Sequence, residues 1–188
     1  FKNYSFVKIA GAALNQTPID WNSNKNNILQ AIAKAKSENI NLLCLPELCI
    51  PSYGCQDLFL APWVQQKSIN VLLEILPETK NIALCLGLPI CIDNKLYNCA
   101  AFIVDAKIKG FYAKQILANE GVHYEKRWFT SWQKGKVSEI NIQDKTYKIG
   151  DIQFELDNKK IGFEICEDAW DKDNRPANNH NFDIILNP

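Results

Sequence analysis

Short apolar runs alternate along this chain with segments whose apolar positions recur every three or four residues. The opening run, Phe6 to Asn15 (FVKIAGAALN), consists of small and β-branched residues, which predicts a central strand covered on both faces. Asp20 and Asn22 can cap a helix after it, because Ile28, Ala31, Ile32 and Ala35 form one apolar stripe over Asn24 to Glu38. INLLCLP is again wholly apolar and stops at Pro46-Glu47, and a second helical stripe runs through Val64, Ser68, Val71, Leu72 and Ile75. The chain therefore begins as βαβα.

After Pro77 the pattern changes to closely spaced strands, IALCLGLPI, LYNCAAFIV and KIKGFYAK, separated by the polar turns IDNK and DAK, which predicts antiparallel hairpins. A polar, aromatic-rich loop covers Asn119 to Lys136. Strands are then expected near TYKIG and FELD and over KKIGFEIC, followed by a short helix from about Glu167 and a terminal strand DIILN. Helical stripes flanking buried strands, with an antiparallel middle and no internal repeat, predict a single α/β domain with mixed sheets and helices outside.

Composition narrows the class. The 188 residues carry 21 Lys+Arg against 21 Asp+Glu, and 47% are apolar, enough for a substantial core and no polyanion-seeking surface. Arg127 and Arg175 are the sole arginines, which argues against base readout in nucleic acid. No apolar run approaches the roughly 20 residues of a membrane span, and no secretory signal layout is present. Seven cysteines, set in runs such as NLLCLP and ALCLGLP, fit reduced thiols and a cytoplasmic location better than a secreted disulfide framework. The absence of Met and a C-terminal stretch that reads as a strand just ended raise the expectation of a fragment.

In α/β sheets reactive side chains collect just past strand ends. Glu47 ends NLLCLPE, Lys114 ends GFYAK and Cys166 ends KIGFEIC. Cys166, at a strand-to-helix turn, is expected to face free N–H groups and a helix dipole that favour a thiolate, with Glu164, Glu167 and Asp168 forming a polar mouth; otherwise it is a small core hydrophobe. Glu47 is either a salt-bridged strand-end charge or a general base, and Lys114 either a snorkelling surface lysine or the cation for an oxyanion. Together they form the set that thiol-based amide hydrolysis requires. The other arrangements open at this point are a Cys/His pair using His123 or His180, and a metal or interaction module built on Cys44, Cys49 and Cys55. The spacings of that cysteine set do not match a zinc knuckle, so no metal ligand is assigned.

LPE at Glu47, YAK at Lys114 and EICED at Cys166, in this order, resemble the Glu-Lys-Cys triad of the nitrilase superfamily of carbon–nitrogen hydrolases. LPELCIPSYGCQDLF and GVHYEKRWF resemble, more narrowly, the glutaminase domains of glutamine-dependent NAD+ synthetases. The resemblance implies an α-β-β-α four-layer sandwich over residues 1–188, cut short of the family's full domain. It implies hydrolysis of the glutamine side-chain amide through a thioester on Cys166, with Glu47 as base and Lys114 as oxyanion partner. Glu125 looks like an additional glutamate beside the lysine and nucleophile, the plain alternative being a loop ion pair with Lys126 or Arg127. Trp170 stands where relatives often line the glutamine pocket with an aromatic residue. Glu120 stands where some carry a tyrosine that contacts glutamine, and Tyr53 lies close to another aromatic position.

The domain itself is expected to need no cofactor. ATP and Mg2+ are implied for a synthetase domain outside this chain, which would be its partner and would use the ammonia to amidate deamido-NAD+. Homo-oligomerisation is implied, and no membrane or nucleic-acid partner. A stand-alone amidase acting on another small amide shares the same triad and is the alternative reading.

Overall fold

A computed structural model describes residues 7–188. The elements are β1 (Ile9–Gly11), α1 (Trp21–Ser37), β2 (Leu42–Cys44), α2 (Pro62–Ile75), β3 (Ala83–Ile92), β4 (Lys95–Val104), β5 (Lys107–Ala113), β6 (Val137–Ile142), β7 (Lys145–Gly150), β8 (Phe154–Leu156), β9 (Lys159–Phe163) and β10 (Ile184–Leu186), with short 3-10 turns between them. Asp20 opens α1 by accepting from the Ser23 N–H at 3.1 Å. The stripe predicted for α2 is buried at every position, from Val64 to Ile75.

The strands form two sheets. The larger runs β1-β2-β3-β4-β5-β7-β6 and the smaller β10-β9-β8. The pairs β1/β2, β2/β3 and β5/β7 are parallel, while β3/β4, β4/β5 and β6/β7 are antiparallel, so the sheet is mixed as the sequence pattern predicts.

The period of two along each strand sorts the core into two faces. Leu84, Leu86 and Leu88 of β3, with Ala101 and Ile103 of β4 and Phe111 and Ala113 of β5, pack with Ile28 and Ile32 of α1 and Val71, Leu72 and Ile75 of α2. The intervening positions, Ala83, Cys85, Ala100, Phe102 and Tyr112, meet Phe154, Leu156, Ile161, Phe163 and Leu186 of the smaller sheet. Phe102, Phe154, Phe163 and Tyr112 join there, with ring centroids 5.0–5.9 Å apart. Each fully buried Ile, Leu or Phe of these faces contributes roughly 1.5–3 kcal/mol of transfer free energy. The described residues thus stack as helices, large sheet and small sheet, three layers of the expected sandwich.

Two strand expectations are corrected. Among the described residues the opening run is not central: β1 lies at the edge of the larger sheet with Ile9 at 42% exposure, and Phe6 lies outside the described residues. Its small residues pack on the helices through Ala10, Ala12 and Leu14, while Ile9 and Gly11 on the other face are exposed. A run of small apolar residues therefore does not distinguish one covered face from two. The segment VSEINI, not predicted as a strand, forms the opposite edge as β6, held by its hairpin with β7.

Candidate active site

The alternation that sorts the core also assembles the site. Residues 83, 85 and 87 of β3, 102, 100 and 98 of β4, and 112 of β5 with 114 just beyond it share one parity, facing the smaller sheet. Toward the strand ends these positions are Gly87, Asn98 and Lys114.

Glu47 reaches this point on a chain hop. The Leu45 N–H donates to Cys85 O at 2.9 Å and the Ile50 N–H to Gly87 O at 3.2 Å, so Pro46–Cys49 arches over Gly87 between two sheet-like anchors. A Cβ on Gly87 would lie 2.2 Å from Leu48 N and 2.7 Å from Pro46 O, an approach open to glycine alone. Behind the arch, the buried Asn24 of α1 donates to Ile50 O at 3.1 Å and Gln16 donates to Cys49 O at 2.7 Å.

At the centre lies Lys114, fully buried. Its Nζ donates to Glu47 Oε1 at 2.6 Å and to Glu125 Oε2 at 2.7 Å. Asn98 Nδ2 donates to Glu47 Oε1 at 2.7 Å and Glu125 Oε1 at 3.0 Å, and Ala118 N–H donates to Glu125 Oε2 at 2.6 Å. Glu125, on a 3-10 turn Glu125–Arg127, is fully buried too. Its plain reading as a partner of Lys126 or Arg127 is therefore overturned: Glu125 pairs with Lys114, while Arg127 grips Asp57 at 2.6 and 2.7 Å.

The electrostatics follow from burial. Glu47 is pushed up to about 7, chiefly by burial, with Lys114 and Asn98 pulling against it and Glu125 adding to it. Burial alone would lower Lys114, but the two carboxylates outweigh it and hold the ammonium above its ordinary value. Because folded Glu47 binds its proton more tightly than an unfolded glutamate near 4.3, its contribution to stability falls as pH rises through that window toward about 7. Glu47→Gln, which cannot ionise, should therefore gain stability relative to the parent between about pH 5 and pH 7.5. Urea unfolding at both pH values measures this, and a gap that stays constant or reverses contradicts it.

Cys166 comes from the other sheet, at the exit of β9, and packs at the edge of the inter-sheet core. Here the expectation is corrected. Only a four-residue 3-10 turn, Cys166–Ala169, follows, too short for a helix dipole, and the thiol is pushed up, first by burial, then by Glu47, with Lys114 opposing. At neutral pH the sulfur is a thiol that needs a base. Cys166 itself holds a left-handed backbone, φ 45°, a strained state at a non-glycine residue.

Asp168 fixes that strain. Fully buried, it accepts from Ile165 N at 2.9 Å, Ile116 N at 2.7 Å, Gln115 N at 3.1 Å and Tyr112 Oη at 2.9 Å. One carboxylate thus ties the exit of β5, which carries Lys114, to the exit of β9, which carries Cys166. Burial pushes it up to about 6 against these donors. Glu164 is likewise buried, held by Arg175 and by Ala177 N at 3.1 Å. Neither forms the polar mouth expected from their place beside Cys166; both are fastenings.

Tyr53 lies at the rim. Its phenol meets His123 Nδ1 at 3.3 Å, and burial, then Glu125, Glu47 and Cys166, push it above its ordinary value. Glu120 and Trp170 are not brought into the cluster: Glu120 is exposed, and Trp170 is 78% exposed on the turn after Cys166. His180 packs on Phe182 instead of on a cysteine. Cys49 and Cys55 bond to the carbonyls of Gly87 and Pro51, and no cluster of three metal-ligating side chains occurs among the described residues.

Asn98 and Gly87 escape a reading based on strand ends, yet each leaves a signal, a polar residue and a glycine inside otherwise apolar strands. Asp168 stands out in the sequence, but in the wrong role. The stretches YGCQDLF and HYEKRWF prove to touch: Asp57 also accepts from Trp128 Nε1 at 2.9 Å, and Phe59 packs on Phe129 at 4.9 Å.

Comparison with known proteins bears on the fold and the family. A glutamine-dependent NAD+ synthetase from Cytophaga hutchinsonii superposes with a TM-score of 0.84 at 50% identity, over 86% of this chain and 28% of that one. The mouse and human glutamine-dependent NAD+ synthetases are 34% and 35% identical over 175 residues, 87% of this chain. The chain spans about a quarter of the length of these relatives, 24% and 25%. An amidase from Nesterenkonia sp. shares the fold, with a TM-score of 0.67 at 19% identity. The carbon-nitrogen hydrolase family model matches residues 8–187, and the chain belongs to that family.

Proposed function

We propose that this chain hydrolyses the side-chain amide of glutamine and supplies the ammonia to an ATP-dependent synthetase domain that amidates deamido-NAD+. The observation that carries the reading is the buried Glu47–Lys114–Glu125 cluster, whose charges act on the nearby Cys166 thiol. Likeness to glutamine-dependent NAD+ synthetases supports the substrate.

Glu47 takes the Cys166 proton as the sulfur bonds to the amide carbon, and the carbonyl π electrons move to oxygen. The Lys114 ammonium, with two protons committed to carboxylates, has a third to offer that oxyanion. Collapse breaks the C–N bond, and Glu47 returns its proton to the departing ammonia. Water then attacks the thioester with Glu47 again as base, which releases glutamate and restores the thiol. Glu125, pinned by three donors, keeps Lys114 charged and in place. The half-reaction needs no cofactor; ATP and Mg2+ belong to the synthetase step. A cytoplasmic homo-oligomer is part of the same reading. No described helix is long and apolar enough to cross a membrane.

A glutamine-like diazo ketone tests the proposal in the full-length protein. Peptide mapping should find one equivalent of label on Cys166, with glutamine protecting and Cys166→Ala abolishing it. Label absent from Cys166, or protection by simple amides in preference to glutamine, would overturn the substrate assignment.

A further inference from the structure

We propose that Asn98 is the positioning residue of this site, an uncharged bridge that holds Glu47 and Glu125 on the two sides of the Lys114 ammonium and keeps Glu47 ready to accept a proton. The inference rests on Glu47 acting as the base.

Asn98 touches all three charged members. Its two amide protons go to Glu47 Oε1 at 2.7 Å and Glu125 Oε1 at 3.0 Å, and its main-chain carbonyl accepts from Lys114 N at 2.9 Å. The orientation of the amide is fixed by this network, since turning it over would set its oxygen against two carboxylates. In that orientation Oδ1 is buried and has no hydrogen-bond partner among the described residues, and Asn98 as a whole is 1% exposed. An orphaned buried carbonyl destabilises a fold, and it is found where another demand outweighs stability. The flanking strand is apolar, Leu96 and Cys99 being buried, so the amide at 98 is an exception within it.

The charge count explains why an amide serves. Glu47, Glu125 and Lys114 leave one negative charge in excess when all are ionised. A cation at 98 would neutralise the base, and a third carboxylate would repel both others. A neutral double donor stabilises the ionised carboxylates without either effect. The charged groups acting on Glu47 are Lys114 beyond β5 and Glu125 on its 3-10 turn, and Glu47 in turn raises Cys166 beyond β9 and Tyr53 at the rim. Asn98 is the neutral side chain whose hydrogen bond lowers Glu47, and without it burial would push the carboxyl above about 7.

The test is the pH dependence of Cys166 alkylation by iodoacetamide, quantified by peptide mass in the full-length protein for the parent, Asn98→Leu, Glu47→Gln and the double variant. The parent rate should show a first step with a midpoint near 7, where Glu47 ionises and can take the proton, below the further rise at high pH as the thiol itself ionises; the midpoints compared are those of this first step. Asn98→Leu removes both donors and the orphaned oxygen, so its midpoint should move up by about one pH unit and its rate at pH 7 fall about fivefold. In the Glu47→Gln background the same replacement should add no shift. A Leu variant whose midpoint matches the parent overturns the proposal. If Glu47→Gln leaves the parent profile intact, the base assignment itself fails, whatever Asn98 does. Asn98→Ser keeps one donor and should fall between; should the Leu variant not fold, an unshifted Ser profile overturns the proposal.

Discussion

Lys114→Met should destabilise the folded chain by about 3–5 kcal/mol and eliminate acylation of Cys166. Methionine roughly fills the volume of the lysine stem, so packing is nearly preserved. What disappears is the counter-ion for two buried carboxylates, which then face each other across the Asn98 bridge with no cation between them. Leaving one side of a buried ion pair unpartnered is among the most destabilising single changes, because the remaining charge has neither water nor a partner. The loss should shrink at low pH: without Lys114, which pulls Glu47 down, Glu47 binds its proton more tightly, so the variant is favoured relative to the parent as Glu47 protonates. Adding Glu125→Gln should restore part of the stability, and no labelling. Urea unfolding at pH 5 and 7.5 with diazo ketone labelling separates the effects. A single variant as stable as the parent at pH 7.5 would mean that the carboxylates are not jointly charged in the parent.

Gly87→Ala should lower Cys166 acylation by about two orders of magnitude while leaving a folded protein, because an error of about 1 Å at a reacting group is enough for such a loss. The added methyl would sit 2.2 Å from Leu48 N, 2.7 Å from Pro46 O and 2.8 Å from Glu47 C. These are main-chain atoms, so no rotamer change relieves the clash, and the arch carrying Glu47 must lift off β3. Overpacking of this size costs typically 1–3 kcal/mol. The arch has stabilising bonds at both feet, Leu45 to Cys85 and Ile50 to Gly87, so it should shift without detaching. Glutaminase turnover in the full-length protein together with a thermal melt checks this. Parental activity would show that Glu47 does not need the close approach over Gly87, and complete unfolding would assign the glycine to the fold alone.

The candidate site is partly legible in the sequence because strand ends are legible. Glu47, Lys114 and Cys166 each close an apolar run, and residue chemistry alone marks them as a nucleophile with an acid–base partner and a cation. Their convergence needs pairing across β2, β3, β4 and β5, and a second sheet to deliver Cys166, none of which a local pattern encodes. The same limit explains the misreadings. Glu164 and Asp168 beside a reactive cysteine suggest a wet mouth, yet Arg175 and a ring of main-chain N–H groups, distant in sequence, turn them into buried fastenings.

By itself the sequence determined the two helical stripes, the antiparallel meander from Ala83 to Ala113 and the placing of Glu47, Lys114 and Cys166 at the ends of apolar runs. Each of these follows from side-chain periodicity, which the backbone imposes over a few residues. Tertiary structure alone decided that β1 lies at an edge, that Glu125 is buried against Lys114, that Asn98 bridges the carboxylates and that Asp168 holds two strand exits together. Those outcomes depend on which distant main-chain and side-chain groups remain to satisfy a buried charge, and such partners are chosen in three dimensions.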